Sequence, residues 1–149
     1  VSSASPSTAR APHEIIVALP PNGVRKAAQL LEPLLGSVIT CSHGTNDFES
    51  ILELAENGKV IVWVAMRCGE AVGACVTEIV SYPRAKVLRV WAGSGDWQAF
   101  VANLGYIERH ARIEGCSQIH VDGPPYVADY LKGHFDLVRV TMKREVGDG

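Results

Sequence analysis

Residues 86–116 read KVLRVWAGSGDWQAFVANLGYIERHARIEGC, and their grammar decides the fold. Lys86–Ala92 has the short, mixed apolar pattern of a strand. Gly93-Ser94-Gly95 follows as a glycine turn. From Trp97 onward, Trp97, Phe100, Val101, Leu104, Ile107 and Ala111 recur at the i, i+3, i+4, i+7 spacing of one helix face, until Gly115 ends the helix. A strand that delivers a glycine turn into a helix N-terminus is an anion-binding arrangement, because bare backbone N–H groups and the positive end of the helix dipole point the same way. Glu108 and Arg112 form an i, i+4 pair on the wet side of that helix, and His110 is expected on its surface.

Working outward, Ser117–Asp122 (SQIHVD) is a strand reached through a helix, so a parallel pairing with Lys86–Ala92 is expected. Gly123-Pro124-Pro125 turns into a short helix, Tyr126–Lys132. Phe135–Glu145 (FDLVRVTMKRE) alternates Leu137, Arg139, Thr141 against Val138, Val140, Met142 and reads as a last strand. Its Arg139, Thr141 and Lys143 face offers no large apolar patch, so no obligate dimer is expected from it.

Upstream, Val60–Met66 (VIVWVAM) is apolar on both faces and too short for a core helix, which marks a central strand. Cys68-Gly69-Glu70 makes a tight turn into Ala71–Val80, a hairpin partner. There Val72, Ala74, Val76 and Val80 share one face, and Glu78 interrupts it. Glu14–Leu19 (EIIVAL) is the first strand. Val24–Leu35 has helical spacing, shortened by Pro33 and stopped by Gly36. Ser37–His43 is either an edge segment or a loop, and the SHGTN stretch would make a mobile lip where it borders a cleft. Asn46 with Glu49 starts a helix that carries Phe48, Ile51, Leu52 and Ala55 and stops at Asn57-Gly58.

The composition sets limits. A length of 149 residues with 47% apolar content suits one domain with a real core, here residues 14–146, between a flexible tail at 1–13 and a disordered end at 147–149. A formal net charge of -2 makes no general case for nucleic acid or for an anionic membrane. The tail VSSASPSTARAP lacks the apolar core of a secretory signal. Cys41, Cys68, Cys75 and Cys116 form no CxxC pair, which points to reduced, mostly buried thiols in a cytoplasmic protein. No metal site is expected, since neither Cys41 with His43 nor Cys116 with His120 brings the three or four converging ligands that zinc needs. His120 alternates outward from Ile119 and Val121 as a polar strand residue, with a cleft as the other place for it. There is no G-x-G-x-x-G fingerprint, because Gln98 stands at the third glycine, and no Walker lysine pattern or G-x-S-x-G elbow.

The order strand, helix, helix, three antiparallel strands, helix, strand, helix, strand resembles the GNAT N-acetyltransferases, from about Glu14 to Val146. The nearest likeness is to short phage- and prophage-encoded GNAT-like proteins, carried by IERHARIEGCSQIHVDGPPYVADYLKGHF and VTMKREV. The resemblance implies an α+β fold: a mixed, mostly antiparallel sheet of six to seven strands with helices on both faces. It also implies that acetyl-CoA lies between the fourth and fifth strands, its pyrophosphate wrapped by Ala92, Gly93, Ser94, Gly95 and Asp96. The family motif there is Q/R-x-x-G-x-G/A. Gly93 and Gly95 match its glycines, and Val90 stands at the Q/R position with Arg89 one place off.

Further roles follow from the same resemblance. The family places a Glu base on the fourth strand, and Glu78 is the residue to consider. Its own environment argues alongside, since a lone carboxylate on an apolar strand face is either desolvated or sits where the sheet opens. The alternative is a pairing with Arg84 or Lys86 in solvent. A Tyr on the helix after the fifth strand would protonate the departing thiolate. Tyr130, in a frame close to Y-x-x-x-G-F with Gly133 and His134 exchanged, comes first, and Tyr126 second. A backbone N–H between Glu78 and Val80 would hold the oxyanion. The acceptor would be an amine on a small molecule or a protein. The degenerate Q/R position and Asp96 favour a second reading: a GNAT-fold phage virion component, or a partner of a host protein, without catalysis.

Overall fold

A computed structural model describes residues 14–42, 44–95 and 97–147. The tail 1–13, with His13, and His43, Asp96 and residues 148–149 lie outside the described residues. The elements are β1 (Glu14–Ala18), two single turns of 3-10 helix at Pro21–Gly23 and Arg25–Ala27, then α1 (Ala28–Leu34), α2 (Gly36–Cys41), α3 (Phe48–Glu56) and β2 (Ile61–Arg67). They continue as β3 (Glu70–Ser81), β4 (Lys86–Gly95), α4 (Trp97–Ala102), α5 (Leu104–Ile113), β5 (Gln118–Asp122) and α6 (Val127–Leu131).

One five-stranded sheet runs in the order β1-β2-β3-β4-β5. The first three pairings are antiparallel and β4–β5 is parallel. The mixed α+β class and the parallel fifth strand are as expected, and the sheet is one strand or more smaller than expected. The missing strand is Phe135–Glu145. Phe135 makes one isolated bridge to Lys132, and residues 136–147 have no strand partner. Alternation gives a segment the side chains of a strand, but a strand also needs an edge to hydrogen-bond to.

Period-2 alternation divides the core between the two faces. On one face Val62, Val64, Ala74 and Val76 pack with Leu31 of α1, Leu35 at the α1–α2 junction, and Ile51, Leu52 and Ala55 of α3. On the other, Trp63, Cys75, Leu88 and Val90 pack with Ile107 and Ala111 of α5. Leu31, Leu35, Ile51, Leu88 and Ile107 are fully buried. Each such side chain contributes about 1.5–3 kcal/mol by leaving water.

Several local expectations shift. The helix expected over Val24–Leu35 starts late, after two 3-10 turns, and Pro33 fits inside the last turn of α1. Gly36 does not stop the chain; it begins α2, so part of the expected loop is helical and lies along β4. The third helix begins one residue later than expected: Asp47 caps it, accepting from the Ser50 N–H at 2.8 Å, while Ser50 Oγ accepts from the Asp47 N–H at 2.9 Å. Gly58, at φ 71°, closes it. The long helix of the opening stretch is two helices, broken at Asn103. That side chain is buried and donates to the Ala99 carbonyl at 2.9 Å, a local bond that competes with the helix ladder.

The β2–β3 hairpin turns on Cys68 (φ 53°) and Gly69 (φ 83°), between the paired Arg67 and Glu70. Positive φ at both positions is the signature of the primed turn that matches strand twist. It also puts Cys68 in solvent, contrary to the expectation of buried thiols. Cys75 is buried, and burial pushes its thiol up to about 12. Burial likewise raises Cys116, which is partly covered. His110 is not on the surface. Its ring stands edge-on to Trp63 with centroids 5.4 Å apart, and its Nε2 is buried without a hydrogen-bond partner.

Candidate functional site

The site forms where β4 outruns β5. The parallel pairing runs from Val87–Gln118 to Trp91–Asp122 and stops there, because β5 ends at Asp122. β4 continues to Gly95 along β3, with Ser94 beside Ala74 and Gly95 beside Gly73. The backbone from Ala92 to Gly95 therefore has β3 on one side and an open fork on the other. Gly93-Ser94-Gly95, expected as a turn, is strand. A β-bulge between Ala74 and Val76 of the partner absorbs the irregularity. The expected glycine turn is thus strand that runs on past the last β4–β5 pair, so the anion-binding feature rests on a strand edge more than on a helix N-terminus.

Just below the fork, one sheet face carries a charged belt. Glu78 on β3 and Arg89 on β4 are register partners, and Asp122 on β5 lies beside Trp91. Arg89 Nε donates to Asp122 Oδ2, and its Nη1 donates to Glu78 Oε1 at 3.2 Å. Trp91 Nε1 donates to the same Glu78 oxygen at 2.9 Å. Glu78 Oε2 has no hydrogen-bond partner among the described residues. The Glu78 side chain is 25% exposed, more covered than Arg89 or Asp122. Burial of Arg89 works against its charge, yet the bond from Asp122 and the charges of Asp122 and Glu78 hold the guanidinium charged more firmly than usual. One cation between two carboxylates leaves the belt with one net negative charge.

The resemblance makes Glu78 the expected base of the fourth strand. It stands on β3, and it pairs with Arg89 in place of Arg84 or Lys86. Its side chain nevertheless leans across β4 toward the fork, as the bond from Trp91 shows. The backbone of Glu78–Val80 is less well placed: it pairs with Val87–Arg89, rows below the last β4–β5 pair. The N–H groups that border the fork belong to β4. Val90, at the expected Q/R position, is fully buried in the α5-side core and reaches no ligand.

Tyr126 caps α6 and Tyr130 lies in its last turn, four and eight residues after Asp122. They pack edge to face with centroids 6.3 Å apart, both half exposed. α6 packs against α4, the helix that follows β4, so the Tyr pair belongs to the same end of the sheet as the fork. No hydrogen bond or ring contact joins either Tyr to Glu78 in the described residues. Sequence reasoning missed Arg89, Asp122 and Trp91 as members of the belt. Each sits one strand over from Glu78 or beyond, and only the register brings them together.

His120 lies on the same face as Asp122. Its Nε2 is 2.8 Å from Gln118 Oε1, and its Nδ1 is 3.1 Å from Arg139 Nη2. It borders an open groove of about 440 Å³ with Tyr82, Arg84, Gln118 and Arg139, so the cleft reading fits. No cluster of His, Cys, Asp or Glu that would hold a metal occurs among the described residues. None of the described helices is long and apolar enough to cross a membrane.

No protein-family model and no curated protein sequence matches the chain. Solved structures do. An aminoglycoside acetyltransferase, meta-AAC0020, from an uncultured soil metagenomic sample in complex with sisomicin superposes with a TM-score of 0.65 at 16% identity, over 91% of this chain and 97% of that one. A ribosomal-protein-alanine N-acetyltransferase from Brucella melitensis biovar Abortus 2308 gives 0.63 at 15%, over 91% and 99%. An acetyltransferase from Trypanosoma brucei gives 0.58 at 13%, over 89% and 99%. With its strand order, its parallel β4–β5 pair and its fork, this chain has the fold of the GNAT-type acetyltransferases.

Proposed function

We propose that the chain is an acyltransferase that moves an acetyl group from acetyl-CoA to a cationic amine. The observation that carries the reading is the belt of Glu78, Arg89 and Asp122 placed at the mouth of the β4–β5 fork. A thioester lying in the fork would meet backbone N–H groups of residues 92–95, which offer donors for the pyrophosphate or for the oxyanion. An amine approaching along the helix-covered sheet face would meet a net negative belt, which attracts its protonated form. The aminoglycoside acetyltransferases of this fold act on acceptors of that charge class.

In the reaction the bound ammonium first gives one proton to water, the neutral amine nitrogen then forms a bond to the acetyl carbon, and the C–S bond breaks. The proton leaving the nitrogen passes to Glu78, whose Oε2 is free to accept it directly or through water. The thiolate takes a proton from Tyr130, with Tyr126 as the alternate donor. Arg89 and Trp91 hold Glu78 by its other oxygen and leave Oε2 aimed by default at solvent or substrate.

The test is calorimetry with acetyl-CoA, followed by thiol release across a panel of polyamines, aminoglycosides and peptide N-termini. Micromolar binding that Gly95→Glu abolishes, with thiol release from at least one cationic amine, is the expected result. No heat at millimolar acetyl-CoA would overturn the reading.

A further inference from the structure

At the other end of β4 from the fork lies a feature that the acyl transfer does not use. Tyr82 and Arg84 in the turn between β3 and β4, Gln118 and His120 on β5, and Arg139 border the groove of about 440 Å³. Arg139 comes from an arm, residues 136–147, that follows α6 and pairs with no strand. Among the described residues, the lining holds two guanidinium groups and no carboxylate. Arg84 is exposed and makes no hydrogen bond or ion pair among the described residues. The chain as a whole carries a formal net charge of -2, so this concentration of positive charge is local to the groove.

One of the two cations is held in place without being neutralised. His120 Nδ1 lies 3.1 Å from Arg139 Nη2, and its Nε2 lies 2.8 Å from Gln118 Oε1. Both contacts are hydrogen bonds in one tautomer: Nε2–H donates to the Gln118 oxygen, and the bare Nδ1 accepts from Arg139. That imidazole is neutral, so it aims the guanidinium by one N–H and leaves its charge intact. The other N–H donors of Arg139 and the whole fork of Arg84 face a ligand. Arg89 is the contrast, since Asp122 and Glu78 already satisfy it. Guanidinium donors aimed by an uncharged partner make a prepared receptor for a carboxylate or a phosphate.

The groove and the belt share one sheet face. Residues two apart on a strand point the same way, so Gln118 and His120 align with Asp122, and Val87 aligns with Arg89. Tyr82 stands near enough to Arg89 to act on its charge. At about 3.3 Å per residue, Asp122 lies about 7 Å beyond His120 and about 13 Å beyond Gln118. We propose that the groove is an anion subsite for the same ligand whose cationic nitrogen the belt receives, so that this ligand carries a carboxylate or phosphate group about 7–13 Å from its amine. The opposite charges of belt and groove also fix its direction, because a reversed ligand would set its anion against Glu78 and Asp122. An extended peptide covers the span in about two to four residues. Naming that ligand as the acceptor rests on the acyltransferase reading, and the anion subsite itself does not.

The test is calorimetry on the full chain, without acetyl-CoA, using amidated tripeptides that differ in the third residue: aspartate, phosphoserine or asparagine. The expected result is that at least one anionic peptide binds about tenfold or more tightly than the asparagine peptide, and the tighter of the two tells carboxylate from phosphate. Arg84→Gln and Arg139→Gln should each remove that preference. Arg112→Gln, which deletes a surface cation of α5 outside the groove, should keep it. The preference in a protein that gives no heat with acetyl-CoA would leave the subsite standing and remove the transfer reaction. Acetyl-CoA binding and thiol release without the preference would keep the enzyme and overturn the subsite. No heat from any peptide at millimolar concentration, a preference that survives both groove variants, or one that Arg112→Gln also removes would overturn it as well.

Discussion

Trp91 donates its indole N–H to Glu78 Oε1 across the β3–β4 pair, although the strand register sets Arg89, not Trp91, opposite Glu78. The carboxylate is therefore tilted along the sheet toward the fork and pinned by one oxygen. This arrangement separates a base from its positioning groups. Glu78→Gln keeps the shape and removes the proton acceptor, so kcat should fall by about 100-fold or more while KM stays within a few-fold, given that a placed base contributes roughly 10²–10⁴. Trp91→Phe keeps the acceptor and loses only the tilt, so a loss nearer tenfold is expected. Steady-state kinetics of the two variants side by side checks the order. Equal losses would mean that Glu78 acts only as scaffold.

His110 gives the clearest stability prediction. A ring nitrogen buried without a partner costs about 1–3 kcal/mol of desolvation, and the ring already sits edge-on to Trp63 as an aromatic would. His110→Phe keeps the edge contact and deletes the orphan. The urea midpoint should rise, by an amount equivalent to about 1 kcal/mol, with the slope unchanged.

How much of this was legible beforehand depends on which residues had to meet. β1, β2 and β3 could be read because their apolar runs are bounded by Pro20-Pro21, Cys68-Gly69 and Pro83, which punctuate the chain locally. The parallel β4–β5 pair followed from the helix between them. Glu78 stood out because one carboxylate interrupts an apolar face. Arg89, Trp91 and Asp122 did not, because a charged or aromatic residue at a strand position looks the same whether it faces solvent or a partner two strands away. Gly93 and Gly95 misled for a related reason. Glycine permits a turn but does not require one, and the neighbouring β3 had enough length to keep the chain extended. The arm at 136–147 failed as a strand because pairing is not encoded in alternation.

Cys68 occupies a position that favours asparagine or glycine. Its φ of 53° in the two-residue turn is one that L side chains other than Asn and Asp adopt at a cost. Cys68→Asn should stabilise the hairpin by about 0.5–1 kcal/mol, read as a rise in the thermal midpoint. Among Cys68, Cys75 and Cys116, the same residue should react first with thiol reagents. Cys68 is exposed and Cys75 is buried with its thiol pushed up to about 12, so a disulfide reagent at neutral pH should modify Cys68 and spare Cys75 until the protein unfolds. Modification of Cys75 at the rate of Cys68 would contradict the packing of the α5-side core.

Arg25 ties the turn after β1 to α3 and sets the last prediction. Its Nη1 and Nη2 reach Glu49 at 2.9 and 2.8 Å, and its Nε and Nη2 reach Glu56 at 3.1 and 2.7 Å. The guanidinium bonds hold both carboxyls below their ordinary value of 4.5, and the Ser50 bonds hold Asp47 below its ordinary 3.8. A carboxyl whose folded value is depressed contributes stability that is fully present above its unfolded value and is lost as pH falls through the folded one. The contribution of Glu49 and Glu56 is therefore intact above about pH 5 and declines below 4.5. All three groups are solvent-exposed, so the effect is small and sensitive to salt. Arg25→Gln should return the Glu49 and Glu56 midpoints toward 4.5 in a carboxyl-detected NMR titration and leave Asp47, which owes its depression to Ser50, where it was. If all three midpoints moved together, Arg25 would be acting by holding α3 in place and not through its bonds to the two glutamates.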